Sequence, residues 1–188
     1  AATVQQPLAN GTKYELLVYN NVGNLVTRQT YTYGQESTAA AINLNAGQSY
    51  TFVVISSNSS STTPAVVNAN LLSTAIVANI NTALLYFKST LTLNEGNNNL
   101  NVILKHQYSE IKTTLRMDAN TTGNITAVNA PVFKTTHSSA SLKLSDGVLT
   151  YNGINPAGQP LSFIGLGTRV LTSPAILVIH PATNSGVL

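Results

Sequence analysis

Apolar side chains recur along this chain at every second position far more than at helical spacing. The clearest case lies between Leu91 and Met117, where Leu100, Val102, Leu104 and then Ile111, Thr113, Leu115, Met117 keep period two. That pattern predicts two half-buried antiparallel strands joined near His106–Tyr108, a central seam from which other strands pair outward. Tyr14–Tyr19 and Leu25–Tyr33 read as a hairpin across the turn Asn20–Asn24. Val26, Arg28, Thr30 and Thr32 take one side of its second strand, and Leu25, Thr27, Gln29, Tyr31 and Tyr33 the other. Ala39–Leu44 reads as a brief strand. Ser49–Ser57 is apolar on both faces, which predicts a central position.

Ser56–Thr63 is a polar loop. Ala65–Leu84 is read as loop with a short helical turn, from the spacing of Leu71, Leu72, Ala75 and Ile76. A strand over Leu84–Thr92 and a turn at Asn94–Asn99 lead into the seam. Beyond it come a turn at Asp118–Asn124 and a strand over Ile125–Phe133, which Pro131 confines to an edge or a bulge. A hairpin joins Ala140–Leu144 to Gly147–Tyr151 through Ser145-Asp146-Gly147. Asn152–Pro160 is loop, Leu161–Leu166 a strand, and Pro174–Ile179 a strand covered on both faces. A last strand begins at Gly186–Leu188. About eleven or twelve short strands with almost no helix need two stacked sheets to bury their apolar faces. The expected fold is an all-β antiparallel sandwich, in one domain over 1–188.

Composition narrows the function. Hydrophobic residues make up 43% of the 188, enough for a core, but charged residues only 8%, against roughly a quarter in ordinary soluble domains. Solubility must rest on Asn, Thr, Ser and Gln, which suit strand faces better than helices. The nine basic residues are scattered among six acidic ones, without the clustered footprint of nucleic-acid binding, so no nucleic-acid partner is expected. No cysteine is present, which excludes disulfides, thiolate metal sites and thiol nucleophiles. The apolar run Ala175–Ile179 is too short to span a bilayer. The N-terminus lacks the features of a signal peptide, so any such peptide has been removed, and the ending at Leu188 suggests trimming there too.

Candidate chemistry is sparse. A glycosidase needs two facing carboxylates, and Glu15, Glu36, Glu95, Glu110, Asp118 and Asp146 show no suggestive spacing. A secreted hydrolase would require two of Glu95, Glu110, Asp118 and Asp146 across a cleft. His106, His137 and His180 show neither H-x-H nor H-E-x-x-H spacing, so no metal or cofactor is expected. Serine-hydrolase and calcium-loop motifs are absent. No enzyme is expected. Tyrosine is the enriched aromatic, with eight against four Phe. Tyr14, Tyr31 and Tyr33 are the candidate contact residues, since exposed rings stack on sugars or anchor partners, although sheets also take Tyr for packing alone.

The segments TKYELLVYNNVGNLVTRQTYTYGQ (12–35), LNAGQSYTFVVIS (44–56) and LNEGNNNLNVILKHQYSEIKTTL (93–115) resemble the fimbrillin-like proteins of Bacteroidetes. ASLKLSDGVLTYNG (140–153) and SPAILVIHPATNSGVL (173–188) resemble the same group. The most specific part is the turn, strand and (K/R)-H-x-(Y/F)-(S/A)-x-I run at 96–111. The resemblance implies a transthyretin-like sandwich, export to the cell surface, outer membrane or fimbrium, and a structural or adhesive role. It also implies partners that bind by β-strand addition. The family's lipid anchor uses an N-terminal cysteine, so here it would need an upstream cysteine that has been removed. The second sandwich of a full pilin subunit is missing, which suggests an N-terminal domain or trimmed fragment of a longer surface protein. The expectation is a non-enzymatic surface module, with a carbohydrate-binding module on Tyr14, Tyr31 and Tyr33 as the alternative.

Overall fold

Five consecutive buried positions, Glu15 to Tyr19, mark the strand on which the fold is built. A computed structural model describes residues 5–134 and 136–181. The strand expected at Gly186–Leu188 lies outside them. The described chain divides into two compact units, 1–107 with 141–150, and 108–140 with 151–188.

In the first unit, β1 (Lys13–Tyr19) pairs antiparallel with β2 (Leu25–Thr32) on one side and β3 (Ser49–Ser56) on the other. The following strands are β4 (Val66–Val67), β5 (Ile76–Ile80), β6 (Leu85–Thr92) and β7 (Lys105–His106). The first sheet runs β2-β1-β3-β6-β7. Because side chains alternate across a strand, β1 and β3 present apolar groups to both faces. On one face Leu16, Val18, Tyr50, Phe52 and Val54 form a cluster with Leu93, and Ile42, Leu44, Leu100, Val102 and Leu104 pack against it. On the other face Leu17, Tyr19, Val53 and Ile55 are fully buried.

Two hydrogen bonds identify what covers that second face. Tyr86 Oη donates to Leu144 O (2.8 Å), and Lys88 Nζ to Ser145 O. Both acceptors belong to the hairpin between β11 (Thr136–Lys143) and β12 (Leu149–Asn155). These strands continue the second sheet, ordered β12-β11-β5-β4. The antiparallel β-sandwich expected from the sequence is borne out. At the hairpin turn, Asp146 Oδ1 accepts the Val148 N–H (3.0 Å), and Gly147 sits at φ +75 with the Tyr86 ring 2.8 Å from where a Cβ would stand. Any other residue there would be both strained and crowded.

In the second unit the strands are short. β8 (Ser109–Ile111) pairs with β15 (Ile176–Val178), β9 (Thr114–Arg116) with β14 (Val170–Thr172), and β10 (Val132–Phe133) with β13 (Gln159–Pro160). The Asp118–Asn124 turn is stapled by Arg169, whose guanidinium donates to the carbonyls of Asp118 (2.7 Å), Thr121 (2.6 Å) and Gly123 (3.3 Å).

Several expected elements differ. The seam does not form: among the described residues 93–104 makes no ladder, and the strands after Tyr108 pair with β15 and β14 rather than with it. Asn98 closes the 94–98 loop through bonds to the Asn94 N–H and the Asn94 and Gly96 carbonyls. The alternating Leu100, Val102 and Leu104 then lie across the first sheet instead of beside it. Period two reports that one face is covered, not which strand lies alongside. Ala39–Leu44 likewise packs Ile42 and Leu44 on the cluster without forming a strand. Ala65–Leu84 holds β4 and β5, with the helical spacing reduced to one turn in which Thr74 and Ala75 both bond Leu71 O. Ile125–Phe133 keeps only β10 and a bridge from Ile125 to Thr168, and Leu161–Leu166 only a bridge from Ile164 to Thr172.

One charged group is carried into the interior of the first unit. The Glu15 side chain is 5% exposed, and its Oε1 receives Arg28 Nη2 (2.5 Å) and Nε (2.6 Å) from the neighbouring strand. Glu15 Oε2 and Tyr19 Oη are buried without hydrogen-bond partners among the described residues. The Arg28 side chain is 45% exposed, but removing it would strand the buried Glu15 carboxylate, whereas replacing both groups removes that cost. Arg28→Ala should therefore cost about 2–4 kcal/mol in urea unfolding, whereas Glu15→Leu with Arg28→Leu should stay within about 1 kcal/mol of the parent.

Candidate functional site

The three tyrosines come together on one corner of the first sheet. Tyr14 and Tyr31 are register partners across β1 and β2, and their rings stack with centroids 5.4 Å apart and planes 12° from parallel. Both rings also pack against the apolar cluster. Tyr14 Oη donates to Glu36 Oε1 (3.1 Å), while Glu36 Oε2 accepts the Gly34 N–H (3.0 Å). Burial, then the Glu36 carboxylate, pushes the Tyr14 phenol above its ordinary range, with Tyr31 and Tyr33 adding to the effect. Stacked face to face, Tyr14 and Tyr31 turn ring area toward each other that an open platform would offer to a ligand.

Of the four carboxylates that a hydrolase would draw on, Asp118 and Asp146 serve turns. Asp118 Oδ1 accepts the Asn120 N–H (2.8 Å). Asp146 pairs with Lys143 (3.3 Å), and its carboxyl is held below the usual range, first by the Val148 N–H and then by Lys143 and Ser145. Glu95 and Glu110 are exposed.

A feature that sequence reasoning missed lies along β6. Gln107 N–H donates to Leu84 O (2.8 Å) on the β7 side, and Leu93 N–H donates to Gln48 O (3.0 Å) on the β3 side. Antiparallel ladders alternate the direction of backbone groups. Leu85, Phe87, Ser89 and Leu91 therefore aim their N–H and C=O at β3, and Tyr86, Lys88, Thr90 and Thr92 aim theirs the other way. On that side β7 reaches only Leu85 and Tyr86. Among the described residues, no strand continues beside Lys88, Thr90 and Thr92. A lysine on an edge strand ordinarily discourages pairing, but the ammonium of Lys88 is turned to Ser145 O. No local pattern announces this edge, because it depends on β7 stopping after two residues.

Two histidines also meet, although their spacing in sequence gives no sign of it. The His137 and His180 rings have centroids 5.9 Å apart, and Tyr151 lies 5.3 Å from His137.

No family model matches this chain, and no curated protein does. Among solved structures, a candidate polysaccharide-binding protein (DUF1812) from Bacteroides thetaiotaomicron aligns over 90% of the chain at TM-score 0.59 and 13% identity. A candidate adhesin from the same organism aligns over 92% at TM-score 0.58 and 16% identity. The chain shares their fold. It spans 64% and 65% of the length of those two proteins. No helix among the described residues is long and apolar enough to cross a membrane.

The buried phenols set an alkaline limit on this fold. Burial pushes Tyr19, Tyr86 and Tyr108 up to about 12, with Asp146 adding to the shift at Tyr86. Each ionises later in the folded chain than in the unfolded one. The stability they contribute is therefore complete below about pH 10, the unfolded value, and is lost as pH rises through the folded values. Melting temperature should fall across that window, together with delayed tyrosinate absorbance. Stability that stays flat there, with phenols titrating as in peptides, would show them to be solvated.

Proposed function

We propose that this chain is a non-enzymatic cell-surface module of the fimbrillin-like group, acting in adhesion or fimbrial assembly. In this reading the open half of β6 receives a strand from a partner protein. The observation that carries it is the row of outward N–H and C=O groups at Lys88, Thr90 and Thr92, beside a fully paired β3 ladder. Backbone groups on a sheet edge give affinity to an added strand, and side-chain alternation gives its register. The segments that resemble fimbrillin-like proteins and the fold shared with a candidate adhesin support the assignment. So does a surface solubilised by Asn, Ser and Thr with few charges. On this reading the protein is exported and acts at the outer membrane or fimbrium, lipid-anchored only if an upstream cysteine has been removed.

The second reading is sugar binding through Tyr14, Tyr31 and Tyr33, favoured by the shared fold with a candidate polysaccharide-binding protein. Tyr33 is the ring of the three outside the stacked pair.

Thr90→Pro separates the two. Proline at an outward-facing position removes an edge donor and leaves the β3 ladder intact. A photo-crosslinking side chain at Thr92, on cells displaying the chain, should capture an extended segment of a surface protein, and Thr90→Pro should abolish capture without unfolding the chain. Capture that ignores Thr90→Pro, or no capture, would sink strand addition. Glycan-array binding lost on Tyr33→Ala would favour the sugar module.

A further inference from the structure

We propose that His137, His180 and the adjoining Tyr151 form a binding site for a late first-row divalent cation, with Cu²⁺ held most tightly. His137 stands at the start of β11, where its N–H donates to Ile179 O (2.8 Å). That bond brings the segment carrying His180 alongside. The two rings lie 5.9 Å apart by centroid and are inclined at 50°. With metal–nitrogen bonds of about 2.1 Å, two imidazoles on one tetrahedral or flattened cation stand with centroids about 5–6 Å apart. The observed separation falls in that range, so the rings need no large displacement to share an ion.

The second observation is independent of the spacing. His137 Nδ1 is buried and has no hydrogen-bond partner among the described residues. A buried imidazole nitrogen left unpaired costs free energy, and a cation is one of the few partners that an unprotonated one accepts. The Tyr151 ring, centred 5.3 Å from His137 and inclined at 48°, adjoins the pair. Two imidazoles with an oxygen donor suit copper, nickel and zinc, and for such a set affinity rises from nickel to copper and falls again at zinc. No carboxylate or thiolate cluster competes: groups of three or more His, Cys, Asp and Glu are absent among the described residues. An ion here would join β11 to the segment after β15. It would stabilise the chain by mass action.

The test is titration of the full chain with copper, nickel and zinc chlorides, followed by calorimetry and melting temperature. One equivalent of copper should bind at about micromolar affinity with a rise in melting temperature. Nickel and zinc should bind more weakly. His137→Asn and His180→Asn should each weaken copper by at least about tenfold, since each removes one of two imidazole ligands. His106→Asn, on exposed β7, should change nothing. No saturable uptake below about 1 mM copper, or uptake that survives both substitutions, would overturn the proposal. Should a substituted chain fail to fold, electron paramagnetic resonance of the copper-loaded parent decides. Splitting from two imidazole nitrogens supports the site, and splitting from one or none refutes it.

Discussion

The first unit depends on one constraint, that β1 and β3 must be covered on both faces. Leu16 and Val18 face one layer while Leu17 and Tyr19 face the other, and Phe52, Val53, Val54 and Ile55 repeat the division on the neighbouring strand. A strand apolar on one side can rest on a single layer with the other side in water, but these strands cannot. The second sheet covers one face. Loop residues from 42–44 and the run from Leu93 to Leu104 cover the other, which explains why so much apolar alternation is spent on segments that join no ladder among the described residues.

That use of 93–104 has a consequence at the sheet edge. A chain leaving β6 could have turned back and paired along its full length. It crosses the face instead and returns to the edge only at Lys105–His106. Backbone groups that a hairpin would have satisfied have no strand beside them among the described residues. Covering the face and leaving the edge open are thus two results of one route through space. The backbone ladder holds β6 to β3 along its full length, and the hydroxyl pairs Thr51–Thr90 (2.9 Å) and Ser49–Thr92 (2.6 Å) add to it.

The sequence was legible wherever two neighbouring segments met. The β1–β2 hairpin, the central place of β3, β6 and the turn at Ser145-Asp146-Gly147 could all be read from alternation and turn chemistry. It was illegible where partners are remote. The seam failed because Leu100, Val102 and Leu104 carry the same period whether they lie beside a sheet or across it. β4 and β5 were hidden by Asn-rich surroundings, in which Asn68 and Asn79 adopt left-handed backbone at φ +53. At the candidate sites, Tyr14 and Tyr31 were expected on neighbouring strands, but their mutual stacking was not foreseen. The β6 edge and the approach of His137 to His180 arise from long-range topology that no local window contains.

Residue-resolved amide exchange along β6 tests this picture most directly. The account predicts alternation, with Leu85, Phe87, Ser89 and Leu91 protected by β3, and Lys88, Thr90 and Thr92 exchanging at nearly the rate of open chain. Uniform protection along the strand would mean that another segment already occupies the edge. Rapid exchange at Phe87 and Ser89 would mean that the β3–β6 ladder itself is not formed.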